Sequence, residues 1–382
     1  MRPPPVAALG FLLLLGAACG ADTAPSAAAP ARRQFPPPIS AAPADEVPVR
    51  RPPAELPIRR GPYVQAVGTT AATVCFELWQ NAEGRVECGG TTRTSPPGPR
   101  HEIVLSGLRP GTRYAYTVEP GGVSASFRTA PEGDADLFFL AWGDCRTYYE
   151  RLARMSALAA RDLPDFSVHT GDLVDEGTVP EDWDRFFEAA APLLRTGALW
   201  PAMGNHEYDA KLYRELFVLP EPKRYYTFTA GPAQFFVLDA DWNGRRDPAQ
   251  TAWLQAALSA CTARFRFVVL HQPVVSCPCD DFSPETSVYH LFGRLIEQGK
   301  VAAVFQGHNH NYQRAERNGV LYITTGGAGA PLYPIGDLTP ETKFARVVNH
   351  YVRVRLHERT MALEAVDLNG VVFDRDERTL KE

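Results

Sequence analysis

The sequence predicts a two-part chain, a small all-β sandwich followed by an α/β domain. Three observations carry this. Short alternating or apolar runs recur at 63–67, 72–78, 85–88, 102–105, 113–118 and 123–127, with turn residues between them, which is the spacing of a sandwich. From Asp136 onward apolar strand-like runs alternate with helical patterns at 148–161, 181–195, 248–260 and 286–298, which is the layout of a sheet covered by helices. Five of those apolar runs end in loops that carry Asp, Asn or His, the place where ligands gather in open α/β sheets.

In chain order, residues 1–19 have one basic residue, Arg2, then an apolar run from Val6 to Leu15 and the small residues Gly16, Ala17 and Ala18 before Cys19. The run is too short to span a bilayer and reads as an export signal. Small residues before a Cys resemble a bacterial lipoprotein cleavage site, with Gly16 where that pattern has Leu. A lipid anchor at Cys19 and simple cleavage nearby are the two readings. Residues 20–57 are rich in Ala and Pro with few large apolar side chains, so they cannot bury enough surface to offset ordering and read as a disordered tether. The expected location is the bacterial cell envelope, touching a membrane only through the lipid. A net charge of −5, with 45% hydrophobic and 22% charged residues, describes a globular chain without the basic stripe that a nucleic-acid partner requires.

Residues 58–131 make up the sandwich. The segment Leu108-Arg109-Pro110-Gly111-Thr112-Arg113-Tyr114-Ala115-Tyr116 resembles the turn-and-strand signature of fibronectin type III domains, and its aromatics read as core. Export permits disulfides, and six cysteines remain besides Cys19: Cys75, Cys88, Cys145, Cys261, Cys277 and Cys279. Cys75 and Cys88 lie on adjacent strand-like runs and form the expected pair. A bridge from Cys145 to Cys277 or Cys279 would join two ligand-bearing loops.

The loops that end the five runs carry Gly143-Asp144, Gly171-Asp172, Gly204-Asn205-His206-Glu207, His271 and Gly307-His308-Asn309-His310. Two imidazoles one residue apart cannot easily close on one ion, yet they can reach two neighbouring ions. This ordered set resembles the calcineurin-like metallophosphoesterases, and Gly307-His308-Asn309-His310-Asn311-Tyr312-Gln313-Arg314 looks most like the purple acid phosphatase branch. The resemblance implies a metallophosphoesterase fold over 135–375, two packed β-sheets flanked by helices. It also implies two divalent or trivalent metal ions, Fe, Mn, Zn or Ni. Asp172 would bridge both ions, Asn205, His271 and His308 would hold one, and Asp144 and His310 the other.

The chain departs from those relatives at the second ion. The third position of the first motif is Arg146 where most of the family has His, and Asp175 stands where the purple enzymes have Tyr. Asp175 is therefore a candidate replacement ligand, and the protein is expected to be colourless. Arg146 reads either as a fork for two phosphate oxygens or as an exposed partner of Asp175 or Glu176. His206 matches the non-ligand histidine that contacts the phosphate and protonates the leaving oxygen, a task suited to an imidazole. Glu207 would orient it or remain solvated. His169 reads as a buried hydrogen-bonded residue and His290 as structural. Gly326-Gly327-Ala328-Gly329-Ala330-Pro331 lacks the Lys of a P-loop and reads as a tight loop beside the metals. No Gly-x-Ser-x-Gly elbow is present. The expected activity is hydrolysis of a phosphate ester, most simply a phosphomonoester. A phosphodiesterase and a non-catalytic surface binding protein are the alternatives.

Overall fold

The computed structural model describes residues 57–207, 211–240, 247–277 and 288–380. The export signal, the tether apart from Pro57, Cys19, Cys279 and the first two residues of the expected helix at 286–298 lie outside the described residues.

The first part is all β: β1 (Ile58–Gln65), β2 (Ala71–Cys88), β3 (Thr91–Ser106), β4 (Arg113–Glu119) and β5 (Val123–Arg128). Every pairing is antiparallel. The runs at 72–78 and 85–88, expected as two strands, are one. The first half of β2 pairs with β1, its last residues with β4, and both halves with β3. Register shifts between Glu77, Ala82 and Gly84 mark bulges, which bend a strand and increase its twist. The hairpin of β2 and β3 thus supplies Val74, Phe76, Val86 and Ile103 to a core completed by Tyr116 and Val118 of β4 and Phe127 of β5.

That continuity corrects the expected disulfide. Cys75 and Cys88 are both free thiols. They lie on the same strand and serve different cores, Cys75 with Tyr63 in the main core and Cys88 in the sandwich core. A bridge needs Cα atoms about 4.4–6.8 Å apart on facing positions. Cys145 and Cys277 are also free. The Cys145 thiol donates to the Leu173 carbonyl (3.3 Å), and Cys277 Sγ meets the Thr342 hydroxyl (3.0 Å).

The second part contains two sheets. One is six-stranded, in the order β18-β17-β16-β6-β7-β8: β6 (Leu137–Trp142), β7 (Phe166–His169), β8 (Ala198–Pro201), β16 (His350–His357), β17 (Thr360–Asp367) and β18 (Val372–Thr379). The other is seven-stranded, in the order β15-β13-β14-β12-β11-β10-β9: β9 (Tyr226–Ala230), β10 (Ala233–Val237), β11 (Phe265–Val269), β12 (Ala303–Gln306), β13 (Tyr312–Arg317), β14 (Val320–Thr325) and β15 (Thr342–Arg346). Strands β6, β7 and β8 are parallel to one another, and so are β10, β11, β12 and β14. All five ligand-bearing loops leave the carboxyl ends of these parallel strands.

Strand alternation explains how the sheets pack. On β11, Phe267 and Val269 face the other sheet, while Val268, and Leu270 just after the strand, face outward with Leu254, Leu258 and Ile296. Phe139 on β6 meets Phe235, Phe267 and Phe305 of the opposite sheet at ring distances of 5.0, 5.4 and 5.8 Å, edge to face. Such pairs add about 0.5–1.5 kcal/mol each beyond burial. The helices are α1 (Tyr149–Ala160), α2 (Pro180–Ala189), α3 (Ala191–Leu194), α4 (Lys211–Leu216), α5 (Pro248–Ala260) and α6 (Arg294–Gln298). Helix α5 starts where the Asp247 carboxylate accepts from Ala249 and Gln250 N–H, with Pro248 in its first turn.

The sandwich docks through buried polar groups. Tyr63 donates to the Leu216 carbonyl (2.7 Å), and Arg60, buried and braced by Glu77 of β2 (2.7 Å), pairs with Asp184 of the second part. Truncating Phe139, which ties the two sheets together, is expected to lower stability by about 3–5 kcal/mol. Urea unfolding of Phe139→Ala checks this, and a midpoint equal to that of the unmodified chain would mean that the sheets are held elsewhere.

Candidate metal centre

The loops after β6, β7 and β8 emerge level with one another because Trp142 pairs with His169 and His169 with Pro201. Asp144, Asp172 and His308 each take left-handed backbone, with φ of 53°, 56° and 66°. Non-glycine residues rarely adopt it, and it clusters where function requires a fixed direction. Neighbouring glycines make room: a Cβ at Gly204 would collide with the Asp172 carboxylate and backbone, and one at Gly307 would come within 2.5 Å of Asp144 Oδ2. The Gly preceding Asn205 and the Gly preceding His308 are therefore parts of the centre.

Two groups of donor atoms converge on Asp172. In the first, Asn205 Oδ1 lies 2.9 Å from His271 Nε2 and 3.1 Å from His308 Nδ1, the two imidazole nitrogens are 3.3 Å apart, and His271 Nε2 is 3.3 Å from Asp172 Oδ1. An ion with bonds of about 2.0–2.1 Å sets adjacent ligands roughly 2.9–3.4 Å apart, so these spacings fit the edges of one coordination polyhedron. In the second, Asp144, Asp172 and His310 bring one donor atom each within 4.8 Å of one another, with His310 Nε2 3.4 Å from Asp144 Oδ1. Oxygen and imidazole donors suit hard or borderline cations.

The tautomers agree with a ligand role. His271 Nδ1–H donates to the Thr170 carbonyl (2.9 Å) and His310 Nδ1–H to the Pro331 carbonyl (2.7 Å). Each ring therefore presents its Nε2 lone pair to the centre. Burial pushes the Asp172 carboxyl up, but His271, His206, Arg146 and the His206 N–H outweigh it and bring it down to about 2. Burial, helped by His271, lowers His308 to about 4. For His271 burial acts downward, and Asp172 and Asp144 overcome it, leaving the ring raised.

Glu207 neither orients His206 nor meets solvent. It is buried, and its carboxylate accepts from the N–H groups of Asp172 (3.1 Å), Gly204 (2.6 Å) and Leu173 (2.9 Å). Burial, then Asp172, pushes it up to about 7. His206 donates from Nδ1 to the Asp175 carbonyl (2.6 Å), which sets its Nε2 3.8 Å from Asp172 Oδ2. Arg146 Nε stands 3.5 Å from Asp172 Oδ2.

Asp175 is committed to the loop after β6. Its oxygens accept from Thr147 N–H (2.8 Å), the Thr147 hydroxyl (2.6 Å) and Arg146 (3.4 Å), so the geometry gives it to Arg146 and Thr147 rather than to the second donor group. His169 is fully buried: its Nδ1 accepts from Gly171 N–H (3.0 Å), which leaves Nε2–H facing the Cys145 thiol at 3.4 Å. The Gly326–Pro331 segment packs on the Asp144 loop through Ala328 N–H to Gly143 O (3.0 Å) and Ala330 N–H to Asp144 O (2.9 Å). One residue at the site was not read from the sequence. Tyr333 lies parallel to the His310 ring, 3.9 Å between centroids and 19° between planes. Its only signal is an aromatic residue shortly after the glycine-rich loop.

Residues 135–312 match the family profile of the calcineurin-like phosphoesterases. Purple acid phosphatase 21 of Arabidopsis thaliana is 26% identical over 258 residues, 61% of this chain and 59% of the relative. Purple acid phosphatase 23 of the same plant is 25% identical over 289 residues, 60% of this chain and 62% of the relative. The chain thus spans about three fifths of the length of these curated relatives. A yellow lupin purple acid phosphatase shares the fold with a TM-score of 0.72 at 17% identity, covering 85% of this chain and 74% of its own. PhoD does so with a TM-score of 0.66 at 12% identity, covering 86% and 90%.

Replacing Glu207 by Ala strands three backbone N–H groups beneath Asp172, at a cost of about 1–3 kcal/mol for each that water does not reach. Thermal unfolding is expected to show the loss, and an unchanged melting temperature would show that solvent replaces the carboxylate. The profile match, the convergent donor groups and the shared architecture agree: residues 135–312 of this chain are a calcineurin-like phosphoesterase domain whose homologues and structural neighbours include purple acid phosphatases.

Proposed function

We propose that the chain is a metal-dependent phosphoesterase of the purple acid phosphatase type, hydrolysing phosphomonoesters at a binuclear centre. One observation carries this: Asp172 belongs to both donor groups, reaching His271 with one oxygen while standing in the cluster of Asp144 and His310. Asp172, Asn205, His271 and His308 would hold one ion, and Asp144, Asp172 and His310 the other. Fe, Mn, Zn and Ni all suit such donors. When bound, the ions would supply Lewis-acid polarisation of the phosphoryl oxygens and make water acidic enough to attack at neutral pH.

The side chains divide the remaining work. Asp172 and Asp144 bring the negative charge that retains the cations. Arg146 is placed beside Asp172 with a fork that can take two phosphoryl oxygens. His206 is held by the Asp175 carbonyl with its second nitrogen toward the centre, which suits protonation of the leaving alcohol. No covalent enzyme intermediate is required. Outside the centre we read residues 1–19 as an export signal, with lipid on Cys19, and 20–57 as a tether. Residues 58–131 would be a fibronectin type III-like support, and 135–375 the enzyme domain, in the cell envelope.

Mass spectrometry of the chain from residue 20 onward is expected to find close to two metal ions per chain, and Asp172→Asn to abolish their retention together with hydrolysis of p-nitrophenyl phosphate. Failure to reach two even after metal is added back would exclude the binuclear reading. Chelation should remove the activity and re-addition of metal restore it. Hydrolysis of bis(p-nitrophenyl) phosphate in preference to the monoester would make the protein a phosphodiesterase instead. Arg146→Met should raise KM or lower kcat by about tenfold or more if the guanidinium binds phosphate; unchanged kinetics would remove it from the site.

A further inference from the structure

The loop from Gly326 to Tyr333 is fastened to the second donor group at several points. Pro331 O accepts from His310 Nδ1 (2.7 Å), Tyr333 N–H donates to His310 O (3.0 Å), and Ala330 N–H donates to Asp144 O (2.9 Å). The Tyr333 ring lies flat on His310 at 3.9 Å and is only partly buried. The hydroxyl is therefore placed by two rigid contacts at the rim of the centre rather than by a mobile side chain.

Arg146 comes to the same place from the loop after β6. Its positive charge acts on the Tyr333 phenol, and so do the negative charges of Asp144 and Asp172. A guanidinium has donors only, so toward it a phenol can offer only its oxygen, which leaves the phenol hydrogen for another acceptor. The buried Arg146 Nε–H has no hydrogen-bond partner among the described residues, 3.5 Å from Asp172 Oδ2. Arg146 thus lies against Asp172, and Tyr333 lies against His310 on the same side of the centre.

We propose that Tyr333 is a substrate-contacting residue, donating its hydroxyl hydrogen to a phosphoryl oxygen while Arg146 and the His310 stack hold the ring. The inference rests on the phosphoesterase reading above and adds to it a group that no sequence motif marks. A phosphate monoester carries charged oxygens that accept the phenol hydrogen, and the Arg146 charge beside the ring favours an anionic phosphoryl group.

The test is calorimetric titration of inorganic phosphate into the metal-loaded protein and into Tyr333→Phe and Tyr333→Leu, with metal content measured on the same samples. Phe keeps the ring on His310 and removes only the hydroxyl. Loss of a hydrogen bond to a charged group is expected to weaken phosphate binding by about tenfold in Tyr333→Phe, with metal content unchanged. Unchanged affinity in Tyr333→Phe overturns the proposal, and if Tyr333→Leu alone is weakened the ring acts only by packing on His310. Loss of metal in Tyr333→Phe, or a visible absorption band of the iron-loaded protein that disappears with the hydroxyl, overturns it too, because Tyr333 would then be a ligand. No phosphate binding and no p-nitrophenyl phosphate hydrolysis by the unmodified protein would instead sink the phosphoesterase reading, and this proposal with it.

Discussion

A carboxylate that stays ionised inside a protein is the constraint from which the rest of this structure follows. Asp172 is buried, yet His271, His206 and Arg146 keep its carboxyl well below its ordinary range. Removing a charge from water costs several kcal/mol unless cations and hydrogen bonds replace the lost hydration. The groups that answer that cost are imidazoles on one side, a guanidinium on another and the His206 N–H on Oδ1, while Glu207 holds the Asp172 peptide N–H. A site that holds negative charge in this way is ready for cations.

The scaffold meets the constraint with two sheets rather than one. Asp144, Asp172 and Asn205 come from the carboxyl ends of β6, β7 and β8, and His271 and His308 from β11 and β12 of the other sheet. The aromatic layer around Phe139 fixes the separation between the sheets, so donors from opposite sheets meet at 2.9–3.3 Å. Left-handed backbone at Asp144, Asp172 and His308 turns each strand end back toward the centre. Its conformational cost is borne by the sheet packing and by glycines that let the loops touch.

Arg146 changes the character of the second donor group. A guanidinium beside Asp172 adds positive charge where relatives place a ligand, and no protein environment deprotonates it. Its surroundings are built around that charge. Asp175 accepts from it while also pinning Thr147, and Tyr333 meets it from a loop that is itself tied to His310. In the proposed mechanism this part of the site would meet a phosphoryl group with donors rather than add a further metal ligand.

The order of strands, helices and ligand-bearing loops was legible in the sequence because each rests on local chemistry: apolar runs of strand length, turn residues after them, and Asp, Asn or His at their ends. Helices α1, α2 and α5 fall within a residue or so of the expected starts, since side-chain periodicity and the Asp247-Pro248 start need no tertiary help. Contacts between distant segments were not legible. Cys75 and Cys88 looked like neighbours until β2 proved to be one bent strand feeding two cores. Glu207 looked like a partner for His206, but its position under Asp172 directs it to three backbone N–H groups. Asp175 looked like a ligand by its place in the motif, and Thr147 and Arg146 claim its oxygens in space. Sequence alone determined which residue types stand at the strand ends, because each motif is a few residues long. Only tertiary structure decided which donors share Asp172 and that Tyr333 stacks on His310, because those distances are set by how two sheets and a late loop pack together.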